Sequence, residues 1–166
     1  MRKQAVYLLI VFSMLWQYAS AQNDTLPYLK NTEMPALIFL NMDSTEFNTF
    51  NIPEGKNSVL IYFSPTCEHC EMLTQELIAN QDSLSNTLIY MISPVDMSVT
   101  KAFDKKYQVS EQKKMYLYKD EQHLFAAYYG VRYLPFVVVY DKDKKLIKGY
   151  EGGIKMNELN ELDRVE

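Results

Sequence analysis

Cys67 and Cys70 are the only cysteines in this 166-residue sequence, and two residues separate them. They follow an uninterrupted apolar run, Val59 to Phe63, and they open a segment whose leucines recur at helical spacing. The unpaired N–H groups and the positive dipole at a helix N-terminus favour a thiolate over a thiol. The pattern predicts Cys67 as a nucleophile and Cys70, about one turn further on, as the thiol that resolves a mixed disulfide.

Such a pair has two other uses, a zinc site and a purely structural bridge. A structural zinc ion takes about four ligands, and the only further cysteine or histidine candidates are His69 and His123. A bridge across so short a loop adds little stability. We therefore expect no bound metal and no cofactor other than a redox-active Cys67–Cys70 disulfide.

The N-terminal segment resembles a secretory signal. Arg2 and Lys3 precede an apolar run that ends at Trp16, and an Ala-Ser-Ala site follows at 19–21. This pattern predicts a signal peptide over residues 1–21 and an exported protein, periplasmic or secreted, with no membrane span after cleavage. A retained anchor is the alternative, although the run is short for a spanning helix of ~20 residues.

Length and charge limit what the rest of the chain does. Residues 22–34 are polar and aperiodic, which indicates a loosely held arm, and residues 35–166 suit one domain. The formal net charge is −4 and no basic cluster occurs, so the composition argues against a nucleic-acid partner. Two cysteines are too few for a disulfide-stapled scaffold, so we expect them to do chemistry.

Strands and helices alternate along the predicted domain. Strands are predicted at 36–41, 59–63, 86–93, 115–120, 136–140 and 146–152, the last two as a hairpin. Helices are predicted after Cys70, around Val99, Phe103 and Tyr107, between an Asp120 N-cap and Gly130, and around Met156, Leu159 and Leu162. This order predicts a layered α/β fold whose ligand site lies at the carboxyl ends of the parallel strands, where Cys67 stands.

The motifs together resemble the thioredoxin superfamily, and more narrowly its exported TlpA/ResA-type redoxin members. The matching pieces are VLIYFSPTCEHC, YLYKDEQHLFAAYYGVRYLPFVVVYDKDKKLI and GYEGG. The resemblance covers about residues 35–165, which is nearly all of the chain after the predicted signal peptide. The resemblance implies a thioredoxin-like three-layer fold with a mixed central sheet, parallel at its centre and antiparallel at its C-terminal edge. It also implies a cis Pro135 against Cys67, and a Leu134 backbone that pairs with an extended substrate segment.

Several positions depart from that family pattern or tune it. Thr66 stands where thioredoxins usually have Trp, and Ile61 stands where many bury an Asp that assists proton transfer. His69 is expected to stabilise the Cys67 thiolate, whereas Glu68, with Glu71 beyond the pair, is expected to repel it. Glu68 and His69 are therefore predicted to tune the thiol in opposite directions.

The leading functional hypothesis is an extracytoplasmic thiol-disulfide oxidoreductase that reduces or exchanges protein disulfides. Its partners would be protein thiols or disulfides and an unidentified electron donor or acceptor. One alternative is a copper(I)-binding chaperone without turnover, with His69 or Met72 near the two sulfurs. The other is a thiol peroxidase, although Pro65-Thr66-Cys67 lacks the longer P-x-x-x-T-x-x-C spacing of peroxiredoxins.

Overall fold

A mixed sheet forms the centre of the protein. The structure is a computed structural model and describes residues 26–164. Within that range, seven strands form one sheet in the order β2-β1-β5-β4-β3-β6-β7. The strands are β1 (Ile38–Leu40), β2 (Glu46–Asn48), β3 (Asn57–Tyr62), β4 (Thr87–Ser93), β5 (Met115–Lys119), β6 (Phe136–Tyr140) and β7 (Leu146–Glu151).

The sheet is parallel at its centre and antiparallel on both sides. Strands β3, β4 and β5 pair in parallel, whereas β6 lies antiparallel to β3 and forms a hairpin with β7. Strands β1 and β2 form the opposite antiparallel edge. Every residue of β3, β4 and β6 is buried, as expected of continuous apolar runs covered on both faces. The predicted fold class is confirmed, including the antiparallel C-terminal edge.

Helices cover both faces of the sheet. The α-helices are α1 (Pro27–Lys30), α2 (Glu68–Asn80), α3 (Met97–Tyr107), α4 (Leu124–Tyr129) and α5 (Met156–Asp163). Helices α2, α3 and α5 bury Leu77, Phe103 and Leu159 against one face. Helix α4 buries Phe125 and Tyr129 against the other face. The side chains of β3 alternate between these two cores, so the strand before the cysteines is fixed from both sides.

Two helix predictions need correction. The residue at the N-cap position of α4 is His123, with a left-handed φ of 55°, rather than Asp120. The fully buried Asp120 carboxylate nevertheless accepts hydrogen bonds from the N–H groups of Leu124 and Phe125, both at 3.0 Å, across a loop that turns back on itself. On α3, Val99 is 36% exposed because Thr100 takes the buried position in that turn.

The N-terminal arm is held against the domain where the structure describes it. The Tyr28 ring contacts Tyr129, with centroids 5.4 Å apart, and a side chain at Gly130 would overlap Leu26. Leu26 and Tyr28 thus pack beside α4, while residues 29–33 are exposed, and the arm over residues 22–34 stays a prediction. The domain boundary at residue 35 stays a prediction.

The predicted signal peptide, residues 1–21, lies outside the described residues. Among residues 26–164, none of the helices combines the length and apolar character that crossing a membrane requires.

Candidate active site

The first cysteine lies where β3 gives way to α2. The Phe63 N–H donates to the Ile92 carbonyl oxygen at 3.0 Å, which continues the parallel pairing one residue beyond β3. A turn follows, in which the Cys67 N–H donates to the Ser64 carbonyl oxygen at 3.1 Å. Cys67 occupies the N-cap position of α2 with extended backbone angles. Its sulfur therefore projects from the helix N-terminus at the carboxyl end of the central strands, as the sequence predicts.

The two thiols have unlike surroundings. Cys67 is partly exposed, whereas Cys70 is 1% exposed within the core between α2 and the sheet. Burial, with a smaller contribution from a hydrogen bond to Cys67, raises the pKa of the Cys70 thiol to about 12. At neutral pH Cys70 therefore keeps its proton. An attacking reagent from solvent meets the Cys67 sulfur first.

Leu134 and Pro135 lie beside the first thiol. The Leu134–Pro135 peptide bond is cis, and Pro135 is buried at the entry to β6. The Cys67 Sγ lies 4.0 Å from the Leu134 carbonyl oxygen, a distance at which a thiol donates a weak hydrogen bond. The fold thus brings Cys67 and Leu134 into contact, although 67 positions separate them in the sequence.

Glu68 and His69 both lie on the exposed side of the first turn of α2. Neither side chain forms a hydrogen bond or an ion pair with another residue in the range 26–164. Their opposite influences on Cys67 stay predictions.

Glu71, which the sequence analysis expects to add to the repulsion of the Cys67 thiolate, has a cationic partner in the structure. The Lys106 Nζ on α3 lies 3.2 Å from one Glu71 carboxylate oxygen and 3.3 Å from the other. Interaction with Tyr107, and to a smaller extent with Lys106, lowers the pKa of the Glu71 carboxyl below its ordinary value. Ile61, in contrast, is a fully buried apolar side chain, so β3 brings no carboxylate to Cys70 at that position.

A groove that the sequence prediction missed runs beside the cysteines, between α2 and the loop after β7. It encloses about 300 Å³. Its lining residues are His69, Met72, Leu73, Glu76, Pro135, Gly152, Gly153, Ile154 and Lys155. The two glycines have φ values of +80° and +105°, which other residues adopt at a cost. The paired glycines in GYEGG were the available signal, because adjacent glycines mark backbone with unusual φ values.

The described part of the chain offers no ready metal centre. Within residues 26–164, no group of three or more His, Cys, Asp or Glu side chains is placed to hold an ion. Cys67 and Cys70 supply two soft ligands only. Two thiolates suffice to hold copper(I), and His69 and Met72 lie on the same helix.

A mixed sheet between two helical layers, with a C-x-x-C pair at a helix N-terminus and a cis-proline beside it, defines a thioredoxin-like α/β protein. The model of the thioredoxin-like domain family matches residues 51–163, more than half of the sequence. The chain belongs to that family.

Solved structures share the fold at low sequence identity. The dsbF protein of MTB, solved in mixed oxidised and reduced forms, superposes with a TM-score of 0.66 at 19% identity, over 77% of this chain and 92% of that one. A secreted Mycobacterium tuberculosis disulfide oxidoreductase homologous to E. coli DsbE gives 0.64 at 18% identity, over 77% and 94%. StoA of Bacillus subtilis gives 0.62 at 12%, over 79% and 98%. No curated protein matches the chain.

Proposed function

We propose that the protein is a thiol-disulfide oxidoreductase that acts on protein disulfides outside the cytoplasm. The observation that carries the proposal is the difference between the two thiols: Cys67 is accessible at a helix N-terminus, and Cys70 is buried and protonated one turn away. A nucleophile must meet its substrate, whereas a resolving thiol must wait until a mixed disulfide has formed. Family membership supports this chemistry, and the predicted signal peptide supports the location.

The reaction follows from those positions. The Cys67 thiolate attacks one sulfur of a substrate disulfide, so a mixed disulfide forms and one substrate thiolate leaves. Cys70 then gives up its proton and attacks the Cys67 sulfur, which releases the second substrate thiol and leaves a Cys67–Cys70 disulfide. Two electrons pass from the protein dithiol to the substrate. Run in reverse, the same steps oxidise a substrate dithiol.

Leu134 and Pro135 serve substrate binding in this proposal. Their backbone lies against the Cys67 sulfur, where an extended substrate segment can pair with it as an added strand. The adjoining groove offers apolar contacts for residues that flank the target cysteine. Ile61 replaces a buried carboxylate, so solvent or a group on the substrate accepts the Cys70 proton.

The test is reduction of insulin disulfides by the mature protein, compared with Cys67→Ser and Cys70→Ser. We expect both variants to lose turnover at least 100-fold. Cys70→Ser, but not Cys67→Ser, should accumulate a mixed disulfide that non-reducing gels detect. Unchanged turnover in Cys67→Ser would reject the proposal.

Copper(I) competition and hydrogen peroxide consumption on the same samples address the two alternatives. Tight stoichiometric copper binding without insulin turnover would favour the chaperone. Peroxide consumption that requires Cys67, again without insulin turnover, would favour the peroxidase.

A further inference from the structure

The ion pair between α2 and α3 lies within one helical turn of the nucleophilic cysteine. The Glu71 N–H donates to the Cys67 carbonyl oxygen at 3.0 Å, so the two residues stand in the i, i+4 relation of an α-helix. Cys67 is the N-cap residue of α2 and has extended backbone angles, and Glu71 lies in the first turn that follows it. The Glu71 carboxylate is therefore one of the charged groups at the helix N-terminus from which the Cys67 sulfur projects.

A carboxylate in the turn next to a thiolate disfavours it, because like charges repel. Lys106 neutralises it, since the Lys106 Nζ contacts both Glu71 oxygens. The other ionisable groups around the pair are Tyr107 on α3 and Glu68 and His69 on the same turn of α2. Of these, neither Glu68 nor His69 forms an ion pair with a residue in the described range.

Helix α3 is placed firmly enough to deliver this charge. The Phe103 ring packs on Phe63, with centroids 5.0 Å apart, and on Tyr107, with centroids 4.6 Å apart. The Lys106 ammonium also lies over the Tyr107 ring, 4.7 Å from its centroid. Apolar contacts thus fix the helix, and the helix fixes the cation beside the first turn of α2.

We propose that Lys106 is a positioning residue for redox poise: by neutralising Glu71, it stabilises the reduced, thiolate form of the Cys67–Cys70 pair. This inference rests on the proposed function and deepens it. It places part of the control of the active site on α3, a helix that supplies no residue to the reacting pair.

The sign of the effect follows from the balanced equilibrium. One oxidised protein and two glutathione molecules give the protein dithiol and one glutathione disulfide, with two electrons passing to the protein. Removing the Lys106 charge exposes the Cys67 thiolate to Glu71 and so disfavours the dithiol. A unit charge about 6 Å away through water changes an equilibrium constant roughly threefold. A tenfold change in the equilibrium constant of a two-electron couple corresponds to 29.6 mV, so a threefold change makes the reduction potential about 14 mV more negative.

The experiment measures the glutathione equilibrium constant of the mature protein at pH 7 and low salt. Lys106→Met should lower the constant about threefold, and Lys106→Arg should restore it. Lys105→Met is the matched control, because Lys105 is an exposed neighbour on α3 with no ion-pair partner among residues 26–164. It should leave the constant within the error of the wild-type value.

Two further measurements separate charge from structure. Glu71→Gln alone should raise the constant, because it removes a like charge, and in that background Lys106→Met should have a smaller effect, because Glu71 no longer holds the ammonium beside the first turn of α2. Since exposed ion pairs contribute little to stability, the melting temperature should hardly change.

Three results would overturn the inference: equal constants for Lys106→Met and the wild type, a constant for Glu71→Gln that does not exceed the wild-type value, or an equal effect of Lys105→Met. Each of these is distinct from a failure of the proposed function. The glutathione equilibrium constant of the Cys67–Cys70 pair can be measured even if the protein does not reduce insulin.

Discussion

The two cysteines illustrate how three residues of sequence separation place two thiols in different surroundings. Cys67 stands at the N-cap, where the helix leaves its N–H groups unpaired, and it reaches solvent. Cys70 faces the core one turn later and loses its hydration. The proposed division into attacking and resolving thiol therefore rests on which side of one helical turn each residue occupies.

At the groove, Gly152 and Gly153 offer a matched pair of alanine substitutions. Both have positive φ, so each change should cost about 1–2 kcal/mol of stability. A Cβ at Gly152 would meet open space, whereas a Cβ at Gly153 would lie 3.4 Å from Pro135 Cγ, on the groove floor. We expect Gly153→Ala to reduce insulin turnover several-fold and Gly152→Ala to leave it nearly unchanged.

Urea titration would give the stability cost and insulin reduction the activity of the two variants. Equal turnover would show that substrate does not use the floor of the groove.

Among the structural elements, α5 is tied to the central sheet by one buried carboxylate. Asp163, 3% exposed, accepts hydrogen bonds from the N–H groups of Ser85 and Asn86 at 2.9 and 3.0 Å, and from the Thr87 hydroxyl at 2.6 Å. An acidic residue in the last turn of a helix opposes the helix dipole. These donors from the segment that leads into β4 offset that cost.

We therefore expect Asp163→Ala to lower the free energy of unfolding by about 2–3 kcal/mol, because it leaves buried donors unpaired. The matched control is Glu161→Ala on the exposed side of the same helix, which should change stability by less than about 0.5 kcal/mol. Urea denaturation followed by circular dichroism measures both. If both variants changed the stability by the same small amount, water would have taken over the hydrogen bonds that the Asp163 carboxylate accepts.

Local patterns in the sequence were sufficient for most elements, because the buried strands and the amphipathic α5 carry strong periodic signals. They failed where contacts between distant residues decide the structure. The pattern indicates that Asp120 caps α4, but not that His123 takes the N-cap position with a left-handed φ. Likewise, the pairing of Glu71 with Lys106 joins residues 35 positions apart, which no local pattern reveals.

Over the whole molecule, burial of tyrosine determines the response to alkaline pH. Burial raises the pKa values of Tyr90, Tyr118, Tyr129 and Tyr140 above the ordinary value of 10.0. A raised pKa means that the unfolded chain loses these protons at lower pH than the folded one. The contribution of these buried tyrosines to stability is therefore fully present below pH 10 and declines as the pH rises further.

At pH 11, ionisation of each of these tyrosines in the unfolded chain should lower the free energy of unfolding by about 1 kcal/mol. Urea midpoints from circular dichroism at pH 7, 9 and 11 test this, and should agree at the first two values and drop at the third. Tyrosinate absorbance in the same samples reports ionisation. Ionisation of all thirteen tyrosines near pH 10 in folded protein would contradict the expectation.

The unequal burial of the two sulfurs also makes the protein simple to label. With Cys70 only 1% exposed and no third cysteine in the sequence, a maleimide dye should attach at Cys67 alone. A fluorophore there would sit at the mouth of the groove, next to Pro135. Its emission would then report peptide occupancy directly, without further engineering of the chain.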